Sequence, residues 1–168
     1  MENRIRVDCI KLSQELIHIS IFSRPGKEDL NTRFLRSMAE NRINCPILFY
    51  LAMDRRSQGA VCVTVEDSHR LNHMLALNPH LKDNVQCISP VGSISLFPHK
   101  FSLKLLGCLM HVFGKTGLPM YGMAASLSAL TLTTDFQMLD QAIETLKPYI
   151  RLPLNHAPFR SQLCLKVL

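Results

Sequence analysis

The stretch His18-Ile19-Ser20-Ile21-Phe22 is answered 75 residues later by Ser93-Ile94-Ser95-Leu96-Phe97, and each run leads through a short polar loop into an amphipathic segment. The offset holds without a gap through the next element, pairing Phe34 with Leu109, Leu35 with Met110, Met38 with Phe113 and Ile43 with Leu118. A second block then matches at an offset of 68: Val63 with Thr131, Asp67 with Asp135, Leu71 with Leu139 and Leu75 with Ile143. The difference falls at Asp54-Arg55-Arg56-Ser57-Gln58-Gly59, which reads as a polar turn that the second copy shortens. A repeat of this length is a whole supersecondary unit rather than a solenoid rung.

Working outward from that core, alternation of Ile17, Ile19 and Ile21 with polar neighbours predicts a half-buried strand over Ile17–Phe22. Leu30, Phe34, Leu35 and Met38 then follow one face of a helix over about residues 28–42, with Glu28 and Asp29 at its positive end. Strands are expected at 43–53 and 60–65, a second helix from Asp67 through Leu71, Met74 and Leu75, and a closing strand at 84–89. The second copy reads as a strand at 91–97, a helix at 102–116, strands at 118–124 and 126–133, and a helix from Asp135 to about Pro148. Gly117 suits the end of its first helix, and Pro148 limits the second. Residues 3–12 predict a leading strand with a place in the second sheet, and Leu163, Leu165 and Val167 a final one.

The fold expected is therefore α+β, with two ferredoxin-like βαββαβ units over residues 1–90 and 91–168, each an antiparallel sheet with its helices on one face. Units this small bury little surface alone, so pairing of units or of chains is expected to complete the cores.

Composition narrows the function. A chain of 168 residues that is 47% hydrophobic and 19% charged belongs with globular rather than disordered proteins. No apolar run approaches the roughly 18 residues that span a bilayer, and Met1-Glu2-Asn3-Arg4 opens no signal-peptide pattern, so a cytoplasmic protein without a membrane role is expected. The six cysteines stand singly and mostly in apolar runs, which argues for buried hydrophobes rather than disulfides or a zinc site. The net charge of +6 is spread over scattered residues, and the aromatic consensus of an RNA-recognition sheet is missing, so no nucleic-acid partner is expected.

Catalytic patterns fail one by one. Gly114-Lys115-Thr116-Gly117 lacks the upstream glycine of a phosphate-binding loop, where Leu109 stands, and it ends a helix instead of opening one. His69 and His73 share a helix face but have no placed third ligand, so no metal or cofactor is expected. With no G-x-S-x-G elbow, H-E-x-x-H pair or dinucleotide fingerprint, the chain reads as a non-enzyme. The strongest polar places are the two strand-to-helix loops, Arg24-Pro25-Gly26-Lys27-Glu28-Asp29 leading to Asn31, and Pro98-His99-Lys100-Phe101-Ser102. Each delivers backbone N–H groups at a helix start.

The repeat, together with Ala39-Glu40-Asn41-Arg42-Ile43-Asn44 in the first copy and Leu118-Pro119-Met120-Tyr121-Gly122-Met123-Ala124-Ala125-Ser126 in the second, resembles the tandem ACT domains that regulate aspartate kinases. That family carries a phrase like Ala-Glu-Ala-Gly-Ile-Asn at the end of its first helix. Where it carries Pro-Gly before the helix, this chain has Glu28-Asp29 and Leu103-Lys104. The resemblance spans about residues 3–150 and leaves no room for a kinase domain.

It implies a regulatory protein that binds an amino acid or similar small metabolite through paired ACT units, as a homodimer and with a possible protein partner. The alternative is a ligand-free dimerisation or docking module. Carried over by position, the ligand-binding residues are Arg24, Gly26, Asp29, Asn31 and Asn44 in the first copy, and His99, Lys100, Ser102 and Ser126 in the second. Asp29 would pair with the ligand's ammonium, and helix-start amides with its carboxylate.

Overall fold

A computed structural model describes residues 4–22, 29–53, 56–98 and 102–160. The expected final strand at Leu163, Leu165 and Val167 lies outside the described residues, as do Arg24, Gly26, His99 and Lys100. Helices and strands are mixed, and the strand pairs around each core are antiparallel. Two compact units divide the chain: one comprises Glu15–Val91, the other the chain on either side of it, up to Gln14 and from Gly92 onward.

In the first unit the order is β3 (Leu16–Phe22), α1 (Leu30–Glu40), β4 (Ile47–Met53), β5 (Arg56–Thr64), α2 (Ser68–Leu77), the short α3 (Pro79–Lys82) and the opening half of β6 (Val85–Phe97). Strand order is β4-β5-β3-β6. The register sets Ile19 opposite Val61 and Ile21 opposite Gly59, while Tyr50 of β4 faces Gly59 from the other side. Because opposed residues point to one face, Ile17, Ile19, Ile21, Val61 and Val63 form a single apolar surface. Leu30, Phe34 and Met38 from α1 and Leu71, Met74 and Leu75 from α2 cover it. Each large side chain buried there stabilises the fold by about 1.5–3 kcal/mol.

The second unit begins with β1 (Ile5–Arg6) and β2 (Cys9–Leu12). It continues after Val91 with the rest of β6, α4 (Leu103–Thr116), β7 (Gly122–Ala125), β8 (Leu130–Asp135), α5 (Leu139–Leu146) and β9 (Ile150–Arg151). The leading segment pairs as β2 with β6, setting Ile10 opposite Leu96 and Leu12 opposite Ile94, and β1 pairs in parallel with β9. Leu105, Leu109, Val112 and Phe113 of α4 and Leu139, Ala142, Ile143 and Leu146 of α5 pack on Ile94, Leu96, Leu130 and Leu132. The sequence-matched positions thus do matched work: Phe34 and Leu109 are both fully buried, as are Leu71 and Leu139.

Several boundaries differ from the sequence expectation. The strands expected at 84–89 and 91–97 are one strand, β6. Pro90 cannot donate a ladder hydrogen bond, and the strand absorbs it in a bulge where the register against β3 shifts between Leu16 and His18. Gly59, expected in a turn, lies inside β5.

The strand expected from Ile43 starts only at Ile47. Arg42, at φ 54°, closes α1 in a Schellman turn: its N–H bonds to Ala39 C=O at 3.1 Å, and Ile43 N–H to Met38 C=O at 2.9 Å. The strand expected from Ser126 starts at Leu130, because Ser126 and Ala129 close a turn through their backbones at 2.8 Å.

The paired aspartates act alike. Asp67 accepts the N–H of Asn44 at 3.3 Å, and Asp135 accepts the hydroxyl of Tyr121 at 2.7 Å, so each ties down the chain arriving from the preceding long helix.

Candidate functional site

The N-terminus of α1 is the place where polar groups and backbone geometry converge. Asp29 is the N-cap: its Oδ1 accepts the backbone N–H of Asn31 and the Nδ2 of Asn31, both at 3.2 Å, and its Oδ2 accepts the hydroxyl of Thr32 at 2.7 Å. A carboxylate here satisfies helix-start amides and lies at the positive end of the helix dipole. Asn31 is only 2% exposed, unusual for an asparagine in the first turn of an amphipathic helix.

Asn31 is buried because its carboxamide lies over Gly59 of β5, so close that a Cβ on Gly59 would overlap Asn31 Oδ1. A glycine inside a strand marks such a close approach, a signal that the reading of Gly59 as part of a turn concealed. On the other side of Gly59, Tyr50 occupies the edge strand β4 and is half exposed. Leu48, two residues earlier on the same face, is also about half exposed. The start of α1, Gly59 and Tyr50 therefore form a polar step beside an open aromatic edge. Neither Gly59 nor Tyr50 was among the expected binding residues.

The other expected residues are placed differently. Asn44 lies beyond the opposite end of α1, whose eleven residues span about 15 Å, and it uses its N–H on Asp67. Arg70 Nη1 completes that corner with bonds to Asp67 Oδ1 at 3.1 Å and Arg42 C=O at 3.4 Å. In the second unit, Ser102 caps α4 by accepting Leu105 N–H at 3.1 Å, and Ser126 Oγ accepts Ala129 N–H at 3.0 Å in an exposed turn. Leu106, which the 75-residue offset pairs with Asn31, is a partly buried hydrophobe packed on the core. The two copies are thus unlike at this point: polar over a glycine in one, apolar in the other.

Burial damps the thiol chemistry of Cys45, Cys62, Cys87 and Cys108. Burial, and then the neighbouring Cys45, pushes the Cys62 thiol up to about 12, and burial also raises Cys45, Cys87 and Cys108. Neutral thiols of this kind are poor nucleophiles. Among the described residues no group of three or more His, Cys, Asp or Glu is arranged to hold a metal ion, and no helix is long and apolar enough to cross a membrane.

No protein-family model and no curated protein matches the sequence. Solved structures do match. The regulatory subunit of aspartate kinase from Thermus flavus superposes with a TM-score of 0.71 at 14% identity, over 85% of this chain and 97% of that one. The ligand-free regulatory subunit from Thermus thermophilus gives 0.70 at 13% identity, over 86% and 99%. Aspartokinase III of E. coli in complex with lysine and aspartate gives 0.64 at 13% identity, over 90% of this chain but 35% of the enzyme. The chain has the fold of the regulatory region of aspartate kinases, and its 168 residues contain no kinase domain.

Proposed function

We propose that this chain is a regulatory protein built of two ferredoxin-like, ACT-like units, and that it binds an amino acid or similar small metabolite at the start of α1. The observation carrying this reading is the buried Asn31 carboxamide seated over Gly59 beside the Asp29 cap. A buried asparagine and a strand glycine contribute little to a plain core, whereas a carboxamide and a carboxylate side by side suit an ammonium-bearing ligand. Because Asp29 already occupies the positive end of α1, the ligand's ammonium is favoured there and its carboxylate is turned away. That sense of binding keeps the Asp29 role implied by the resemblance and removes the carboxylate from the helix start. A regulatory rather than catalytic role fits both the fold and the damped thiols.

Binding would act by changing the association of the chain with a second copy or another protein. A ligand shifts such an equilibrium only by the difference in its affinity for the two states. A thermal-shift and calorimetric screen of the twenty amino acids tests the reading. A ligand present at a hundredfold its Kd stabilises by about 2.7 kcal/mol, which raises Tm by several degrees. The response should vanish in Asn31→Ala, and no response to any amino acid would overturn the proposal. The half-exposed Leu48 and Tyr50 favour the second reading, a ligand-free docking module. In that case Asn31→Ala leaves function intact, while Tyr50→Glu abolishes self-association.

A further inference from the structure

The solvent side of α4 is apolar, where a surface helix is ordinarily polar. At about 100° per residue, Leu103, Gly107, Met110 and Gly114 fall within about 60° of arc, on the far side from the buried Leu105, Leu109 and Val112. Leu103 is 79% and Met110 56% exposed, and no charged residue stands on this stripe. Among the described residues, a Cβ at Gly107 or at Gly114 would meet no packed neighbour within 4 Å. Packing inside the unit therefore requires glycine at neither position.

Glycine is the poorest helix former after proline, so two on one exposed face weaken α4 with no gain inside the unit. Nor does the repeat require them: the 75-residue offset pairs Gly107 with Thr32 and Gly114 with Ala39, both exposed on α1. The two glycines leave hollows beside two projecting side chains, and the spacing is self-complementary. When a second α4 lies antiparallel about a two-fold axis between residues 108 and 109, Leu103 meets Gly114 of the second copy and Met110 meets its Gly107. Each layer then seats one large side chain on one glycine, and the backbones can approach closely. Lys104, His111 and Lys115 lie to one side of the stripe, so no charge has to be buried at the contact.

We propose that a second copy of this chain docks on the exposed face of α4, antiparallel and two-fold related, with Leu103 and Met110 of each copy seated on Gly114 and Gly107 of the other. The fourteen residues of α4 span about 21 Å and a helix is about 10 Å wide, so each copy offers on the order of 200 Å², against about 800 Å² per partner in a stable dimer. The pair is therefore weak and concentration-dependent. It involves neither the amino-acid site at α1 nor the edge strand β4.

Sedimentation velocity of the full chain from about 10 μM to about 1 mM tests it, and the weight-average sedimentation coefficient should rise across that range. Gly107→Leu separates fit from general apolar contact. It adds apolar surface and helix propensity, yet its side chain would meet Met110 of the second copy and should weaken association by at least about tenfold. The exchange of Gly107→Met with Met110→Gly keeps one large and one small residue in each layer and should restore association. Both positions face solvent, so these variants should keep the circular dichroism spectrum. Asn31→Ala and Tyr50→Glu should associate like the unaltered chain, which separates this contact from ligand binding at α1 and from docking at β4. A chain that stays monomeric throughout, Gly107→Leu associating as well as or better than the unaltered chain, no restoration by the exchange, or loss of association in Tyr50→Glu would each overturn the proposal.

Discussion

Arg42 and Gly117 stand at the same left-handed corner in the two copies of the repeat, at φ 54° and 66°, each directing the chain out of the long helix before it. The 75-residue offset pairs them, yet one copy places glycine there and the other a residue with a Cβ. A Cβ in this region costs about 1–2 kcal/mol, partly offset by the greater freedom glycine loses on folding.

Arg42→Gly should therefore stabilise the protein by up to about 1 kcal/mol, and Gly117→Ala should destabilise it by about 1 kcal/mol. The Arg70 contact at Arg42 is to the backbone carbonyl and survives the first substitution. Urea unfolding of both variants checks the pair, and opposite signs are the expected outcome.

Gly59→Ala should cost about 1–3 kcal/mol, because its Cβ displaces the Asn31 carboxamide from a packed position. In an Asn31→Ala background the same change should cost much less, since the clashing group is gone. A double-mutant cycle measures the coupling, and additive effects would show that the two side chains do not share that space. Gly59→Ala should also abolish any amino-acid response.

Gly92→Ala should destabilise the second unit by about 1–3 kcal/mol, because the new Cβ would come to 2.6 Å from Cδ1 of fully buried Leu139. Leu139→Ala alone should cost about 2–5 kcal/mol through the cavity it leaves. The double variant should be less destabilised than the sum. Thermal unfolding followed by circular dichroism reads all three.

Stability should fall on acidification through His18. This residue is 1% exposed, with Ser20 Oγ 3.3 Å from its Nε2 and Cys62 Sγ 3.7 Å from its Nδ1, and burial lowers its pKa below the ordinary 6.5. Above that value neither folded nor unfolded chain is protonated, so the contribution is constant. As pH falls through 6.5 the unfolded chain takes up the proton and the folded chain does not, which favours unfolding by at most about 1.4 kcal/mol per pH unit until the folded group also titrates. His18→Gln should flatten that part of the profile in urea titrations between pH 7.5 and about 5.

Much of the fold was legible because its signals are local. The spacing of Leu30, Phe34 and Met38 gave a buried helix face, and all three are buried. The alternation of Ile17, Ile19 and Ile21 marked the core side of β3, where all three lie. Asp29 was placed at the start of α1 for the helix dipole, and the structure makes it the cap as well. The candidate site was less legible: Asn31 was named, but Gly59 was read as part of a turn and Tyr50 was not singled out.

What the sequence determined by itself is the duplication and the two apolar faces, since periodicity survives without a partner strand; that the matched Asp67 and Asp135 tie each copy's helix exit was decided by the tertiary structure. Only the tertiary structure decided that β6 runs unbroken past Pro90, because a bulge exists only against the register of β3. It alone placed Gly59 between Ile21 and Tyr50, and beneath Asn31. It also set Asn44 at the far end of α1 from Asp29, and brought Ile5 beside Lys104 and Tyr149. These are meetings of residues far apart in the chain, fixed by which strands pair and in what register, and local periodicity carries no record of that choice.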